Sequence, residues 1–295
     1  NIDELPFPDR DLYNLDRILN APFAFPFPEN GLTILGSRGC PFQCAFCQPL
    51  VKDMFGHRIR YRSVENVISE MKYLIDKYRV RYINFDDDTL TARKSWVLNL
   101  CRRLREEKVK VHWSAQTRVD TIDDEQAAAL RKSGCFCLFI GFESGSQRIL
   151  DFLKKGIMPQ QSIKAAEICR RNGILIFANY MLGMPGETIE DMEKTYELFK
   201  KIRPEVLSPA YFTPVPGSDM FNYCKDRDLI LIKSHEDFIR NAVGEKIKGI
   251  DYCLVKEYEI KISSCNCQWF ERLYFARMVV KRWLYMWKRG EGRNA

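Results

Sequence analysis

The run Leu32-Thr33-Ile34-Leu35-Gly36-Ser37-Arg38-Gly39-Cys40-Pro41-Phe42-Gln43-Cys44-Ala45-Phe46-Cys47 joins a short apolar segment to three closely spaced cysteines. Leu32–Leu35 reads as a strand, and Gly36-Ser37-Arg38-Gly39 as the flexible turn that ends it. Three thiolates in the spacing C-x3-C-x2-C can wrap one face of a compact inorganic centre. A cubane [4Fe–4S] electron carrier takes four cysteines, so a local set of three can leave one iron open to an outside ligand. Two other readings of the triad stand beside it. A structural zinc site would borrow a fourth ligand, although zinc modules usually show paired ligand sets. An electron-carrying cluster would be completed by a distant cysteine. Cys135-x-Cys137 and Cys265-x-Cys267 are the other close cysteine pairs, and both lack zinc spacing.

Outward from this run, strand and helix signals alternate. Strands are predicted at 32–35, 82–85, 111–115, 135–142, 175–181 and 206–212. Ser63 caps a helix whose apolar positions, Val64 to Tyr78, follow a 3.6 period. Further helices pass through Trp96 to Leu104, from about Asp123 to Ser133, through segments ending at Gly173, and from a cap at Thr188. Six strand–helix repeats predict an α/β fold with a parallel sheet and helices outside, an incomplete (β/α)6 barrel. Catalytic groups of such sheets lie at the strand C-termini, and the unusual polar clusters of this chain fall there.

Strand two ends in Asp86-Asp87-Asp88, three carboxylates that repel one another unless donors or cations meet them. A solvated loop with Asp88 capping the next helix is the other reading, and a place at the top of a barrel favours the functional one. Strand three ends in Thr117-Arg118, where the guanidinium can grip a carboxylate in bidentate fashion or lie at the surface. Strand four ends in Gly141-Phe142-Glu143-Ser144-Gly145, with Glu143 either a ligand or an acid at a helix N-terminus. Strand five runs into Gly183-Met184-Pro185-Gly186-Glu187-Thr188, which a turn and a threonine cap account for. Its glycines also let a flat ligand approach the backbone.

The cysteine loop, with Phe46 before its last cysteine, resembles the signature of the radical S-adenosylmethionine (SAM) enzymes. The resemblance covers roughly residues 31–217. It implies a TIM-like partial barrel and an oxygen-sensitive [4Fe–4S] cluster on Cys40, Cys44 and Cys47. It also implies chelation of SAM by the fourth iron, and reductive cleavage of SAM to a 5′-deoxyadenosyl radical that acts on a small-molecule substrate. By the same resemblance, Asp87 first and Asp88 second would accept from the SAM ammonium group. Arg118 would meet a carboxylate, and Glu143 would reach the ribose or hold an arginine. Gly183, Pro185 and Gly186 would approach the adenine. Phe85-Asp86-Asp87-Asp88-Thr89-Leu90, Thr213-Pro214-Val215-Pro216-Gly217 and Leu5-Pro6-Phe7-Pro8-Asp9-Arg10-Asp11-Leu12 are similar to the subgroup with an N-terminal cobalamin-binding domain. That subgroup implies methyl transfer, ring closure or rearrangement, and a reductant such as flavodoxin or ferredoxin. The cobalamin domain and its Asp-x-His-x-x-Gly stretch are absent from this sequence, and a first residue Asn1 suggests a fragment or processed product.

Composition fits this frame. The 295 residues are 46% apolar and 29% charged, ordinary for a globular protein. A net charge of +7 reads as solvated basic faces rather than a nucleic-acid surface. Eleven cysteines without a regular framework suit free thiols in a reducing cytoplasm. Residues 1–30 read as a linker and 218–295 as a mainly helical extension. Within the extension, 268–288 forms one amphipathic helix: Trp269, Leu273, Ala276, Val280, Trp283, Leu284 and Trp287 make an apolar stripe among arginines and lysines. It reads as a packed C-terminal helix. The tryptophan and basic content also suits peripheral contact with a membrane and an apolar or lipid-like substrate. Cys265 and Cys267 read as free thiols.

Overall fold

The computed structural model describes residues 1–19, 30–47, 56, 58–234 and 244–265. The cysteine at 267 and the predicted helix over 268–288 lie outside them. Six strands form one parallel sheet: β1 (Gly31–Ile34), β4 (Tyr82–Phe85), β5 (His112–Arg118), β6 (Cys135–Glu143), β7 (Leu175–Leu182) and β8 (Val206–Tyr211), in that spatial order. Each strand is followed by its neighbour, so the sheet curls as an open half-barrel whose edges are β1 and β8. A separate antiparallel pair, β2 (Ser37–Arg38) with β3 (Arg60–Tyr61), closes the stem of the cysteine loop.

Helices cross between the strands: α2 (Val64–Tyr78), α3 (Lys94–Glu106), α4 (Asp124–Lys132), α5 (Gln147–Phe152), α6 (Pro159–Arg171) and α7 (Ile189–Ile202). A short α1 (Leu15–Leu19) precedes the sheet, and α8 (Asp219–Lys225) and α9 (Tyr252–Ser263) follow it. The caps follow the sequence. Ser63 accepts from Asn66 N at the start of α2, and Thr188 with Asp191 forms a reciprocal capping box on α7. Val64, Val67, Ile68, Met71 and Leu74 turn one face of α2 to the core. Central β6 is apolar on both faces because helices cover one side and the barrel interior the other.

The element boundaries differ from the sequence reading in two instructive places. The third strand extends to Arg118 rather than ending at Ala115, since Gln116, Thr117 and Arg118 pair in register with Phe139, Ile140 and Gly141. The buried hydroxyls of Thr91 and Thr117 bond each other and the half-buried Thr121 there, which satisfies polar groups that break the apolar pattern. The first strand ends at Ile34, and Leu35 is exposed.

The opening segment is tied to the edge strand. Arg10 donates to Thr33 O and to Glu70, and Arg62 donates to the other Glu70 oxygen and to Leu35 O. Glu70 is 1% exposed, so the two guanidinium groups satisfy a carboxylate that burial would otherwise strand. Farther across the sheet, the turn after β6 is packed hard against α7. Gly145 N donates to Thr195 Oγ1, Ser144 bonds the same hydroxyl, and Ser146 Oγ donates to Asp191. A Cβ on Gly145 would lie 2.2 Å from Lys194 O. Gly145→Ala is therefore expected to cost about 1–3 kcal/mol by forcing α7 off this turn. The check is a urea titration, with the midpoint lowered and the slope unchanged.

Candidate functional site

The mouth of the half-barrel is formed where the strands end, and the cysteine loop lies across it. Two hydrogen bonds root the loop: the Asp87 carboxylate accepts from Gly36 N at 3.0 Å and from Ser37 Oγ. Asp86 N bonds Ile34 O, so the ends of β1 and β4 are fastened together by backbone and side chain alike. Gly39 sits at φ +99°, and a Cβ there would come within 3.0 Å of Arg58 O. Glycine is what lets the loop leave its stem at this point. Farther along, Ala45 N donates to Leu153 O, while Ala45 O accepts from Met220 N at the start of α8. The loop is thus held at its root and again between its second and third cysteines.

Cys40 is half-buried, Cys44 buried and Cys47 exposed. Cys40 Sγ lies 4.0 Å from Thr89 Oγ1, and burial pushes its thiol up. Among the described residues no three His, Cys, Asp or Glu side chains converge on a single-ion position. A cubane cluster takes each cysteine thiolate on a different iron, so it does not require the three sulfurs to meet at one ion. The donor set also fits: three soft sulfur ligands, with a buried cation aimed at one of them. Arg118 NH1 donates to Cys44 Sγ at 3.3 Å.

Arg118 is inside the protein rather than at its surface. Its Nε and NH2 form a bidentate pair with Asp120, both at 2.9 Å, and NH2 also donates to Lys155 O. The ring of Phe42, from the cysteine loop, lies 3.7 Å from the guanidinium carbon. Lys155 in turn donates to Glu143 Oε1 at 2.8 Å, a pair that is almost wholly buried. Glu143 holds φ +63°, a left-handed conformation at the irregularity in the β6–β7 pairing. Glu143 does not cap α5; Ser146 occupies that position.

The structure therefore brings Cys44, Arg118, Lys155 and Glu143 into one contiguous chain of contacts. Both Asp87 oxygens serve the loop root, and its side chain is 1% exposed as part of a fully enclosed residue. Asp88 is exposed and accepts from the Gly39 backbone, and burial of its surroundings pushes its carboxyl up. It caps no α-helix, since α3 begins at Lys94. Gly183 and Gly186 take φ +77° and +70°. The Glu187 carboxylate accepts from Gly183 N and Met184 N, and burial pushes it up to about 7. Met184, beside Pro185, packs in the same apolar cluster as Ala45 and Phe46, which links this turn to the cysteine loop. Lys155, Asp120 and Thr89 were not legible as site residues. Lys154-Lys155-Gly156 reads as a charged turn, and only the fold carries Lys155 beneath the loop.

Comparisons with known proteins come to the same region. Residues 34–199 match the model of the Radical SAM superfamily. An uncharacterised methyltransferase of Pyrococcus horikoshii is 36% identical over 233 residues, 78% of this chain and 49% of that protein. The anaerobic magnesium-protoporphyrin IX monomethyl ester cyclase of Rubrivivax gelatinosus is 31% identical over 65% of this chain and 34% of its own length. The chain thus spans half or less of the length of these relatives. Among solved structures, the radical S-adenosylmethionine methyltransferase TsrM from Kitasatospora setae, with cobalamin and a [4Fe–4S] cluster bound, superposes with a TM-score of 0.61. It shares 21% identity over 69% of this chain and 41% of that one, a likeness of fold.

Two outcomes follow from this geometry. Burial pushes Asp87 up to about 6, against the lowering effect of its bonds to Ser37 and Gly36. Its folded value exceeds the unfolded one, so the folded state holds the extra proton and stability is lost as pH rises from about 4 through 6. The stability difference between wild type and Asp87→Asn should fall by about 2–3 kcal/mol across that window and then level off, as read by urea unfolding at each pH. Lys155→Met should cost about 3–5 kcal/mol because it strands the buried Glu143 carboxylate. Adding Glu143→Gln should recover much of that loss in the same measurement.

Proposed function

The chain belongs to the radical SAM superfamily, and we propose that the protein reductively cleaves SAM at a [4Fe–4S] cluster held by Cys40, Cys44 and Cys47 and acts on a small-molecule substrate at the barrel mouth. The observation that carries this reading is the C-x3-C-x2-C loop itself. It crosses the strand C-termini of a parallel half-barrel, with a buried arginine directed at its central sulfur. Such a centre, when bound, supplies the low-potential electron that breaks the SAM sulfonium bond.

The residues of this chain bind, orient and enclose. Asp87 fixes the root of the loop through Gly36 and Ser37. Asp88, exposed at the same strand end, is the acid available to an ammonium group at the mouth. Glu143 and Lys155 form a dry ion pair beside the loop, which can meet ribose hydroxyls without inviting water. The Gly183–Gly186 turn, held by Glu187 at Gly183 N and by Arg148 at Gly186 O, presents an exposed Gly186 at which no Cβ stands in the way of a flat ligand. Ala45, Phe46, Met181, Met184 and Phe212 make an apolar wall between loop and turn, which excludes solvent from the reacting region.

For the step on the substrate, methyl transfer is the reading favoured by the relative from Pyrococcus, and cobalamin would then be supplied by sequence outside this chain. Ring closure or rearrangement is the second reading, and the cyclase relative favours it. The half-barrel core is assigned to 31–217, between the N-terminal linker and the C-terminal extension. A flavodoxin- or ferredoxin-type reductant in a reducing cytoplasm fits the cluster chemistry. Among the described residues no helix is long and apolar enough to cross a membrane. Membrane contact would rest on the segment over 268–288.

The test is anaerobic reconstitution with iron and sulfide, followed by SAM, a strong reductant and mass spectrometry for 5′-deoxyadenosine. Wild type is expected to form this product. Cys40→Ala, Cys44→Ala and Cys47→Ala should each reduce it by more than the roughly 10–100-fold that loss of an outer-shell partner costs. Product retained in a folded single mutant would overturn the assignment.

A further inference from the structure

We propose that Arg118 is a positioning residue that sets the reduction potential of the cluster through its hydrogen bond to Cys44 Sγ, with Asp120 as the counterweight that limits its charge. The proposal rests on the cluster assignment above. Its basis is an unusual expenditure of buried charge. A guanidinium side chain 6% exposed is directed by four independent contacts. Asp120 holds Nε and NH2, Lys155 O holds NH2 again, and Phe42 lies against the planar face. What remains is NH1, and it points to Cys44 Sγ at 3.3 Å. Arginine presents its donors in a rigid fork, so fixing two nitrogens fixes the direction of the third.

The electrostatic consequence has a definite sign. Reduction adds one electron to the cluster and makes its sulfurs more negative. A hydrogen bond or positive charge at a ligating sulfur stabilises the reduced form and raises the potential. Burial of both Cys44 and Arg118 away from water strengthens the effect relative to an exposed pair. Asp120 acts in the opposite direction. Its carboxylate is 20% exposed and lies on the far side of the guanidinium from the sulfur, where it offsets part of the positive charge. Loss of Arg118 and loss of the Asp120 charge should therefore move the potential in opposite senses. A purely structural role predicts something different. If the ion pair served only to order the loop, both substitutions would loosen the same contacts and shift the cluster in the same sense or not at all.

The experiment is an EPR-monitored redox titration of the anaerobically reconstituted full chain without SAM, on wild type, Arg118→Gln, Arg118→Lys and Asp120→Asn. Iron and sulfide content is measured for each. Arg118→Gln is expected to lower the reduced-to-oxidised ratio at a fixed potential about tenfold, equivalent to about 59 mV for a one-electron couple. Arg118→Lys keeps the charge but loses the fork and should fall between wild type and Arg118→Gln. Asp120→Asn should shift the ratio upward. Unchanged potentials in variants with full cluster content, or shifts of the same sign for Arg118→Gln and Asp120→Asn, would overturn the proposal and leave the cluster assignment standing. Failure of wild type to hold a four-iron cluster would overturn both. If Arg118→Gln does not fold, the opposing shifts of Arg118→Lys and Asp120→Asn carry the same decision.

Discussion

A buried guanidinium has five N–H donors and cannot shed its charge, so the protein around it must supply acceptors in one plane. Arg118 imposes that demand at the end of β5, and much of the mouth is arranged to meet it. Asp120 comes from the turn just after the strand, Lys155 O from the segment after α5, and Phe42 and Cys44 from the cysteine loop. Three separate parts of the chain are thereby held to one side chain. The extension of β5 through Arg118 makes this possible, because pairing of Arg118 with Gly141 fixes the backbone from which the side chain projects.

The other strand ends follow a related rule. The backbone there has N–H groups that leave the sheet, and carboxylates collect them. Asp87 takes Gly36 N, Glu187 takes Gly183 N and Met184 N, and Asp191 takes Thr188 N. Burial alone would raise Asp191, yet bonds from Arg148, Ser146 and Thr188 hold it well below the usual carboxylate range. Asp87 and Glu187 form no direct ion pair among the described residues, Arg148 acts on Glu187 only from a distance, and burial pushes both up instead. The same residue type thus serves as a fixed anion in one clamp and as a group titrating near neutrality in another. The difference is the presence or absence of a guanidinium partner.

These clamps explain why the polar clusters at the strand ends were visible in the sequence while their division of labour was not. Asp86-Asp87-Asp88 marks the end of β4 plainly. Which carboxylate turns inward depends on the strand's alternation and on where Gly36 and Ser37 lie, and both are long-range facts. Glu143 was legible as an acid at the turn that ends an apolar strand. Its partner Lys155 was hidden in a charged turn twelve residues later. The β2–β3 stem was missed because two-residue strands separated by a loop carry no periodic signal.

The sequence by itself determined the cysteine spacing, the order of strands and helices, and the end of the sheet at which polar groups collect. Those properties are local: hydrophobic period, caps and the reach of three thiols along one short loop. Only the tertiary structure decided which acids are consumed in holding that loop, that Arg118 is buried, and that its free donor meets Cys44. Those depend on parallel register between strands far apart in sequence, and on the requirement that every buried charge find its partner there.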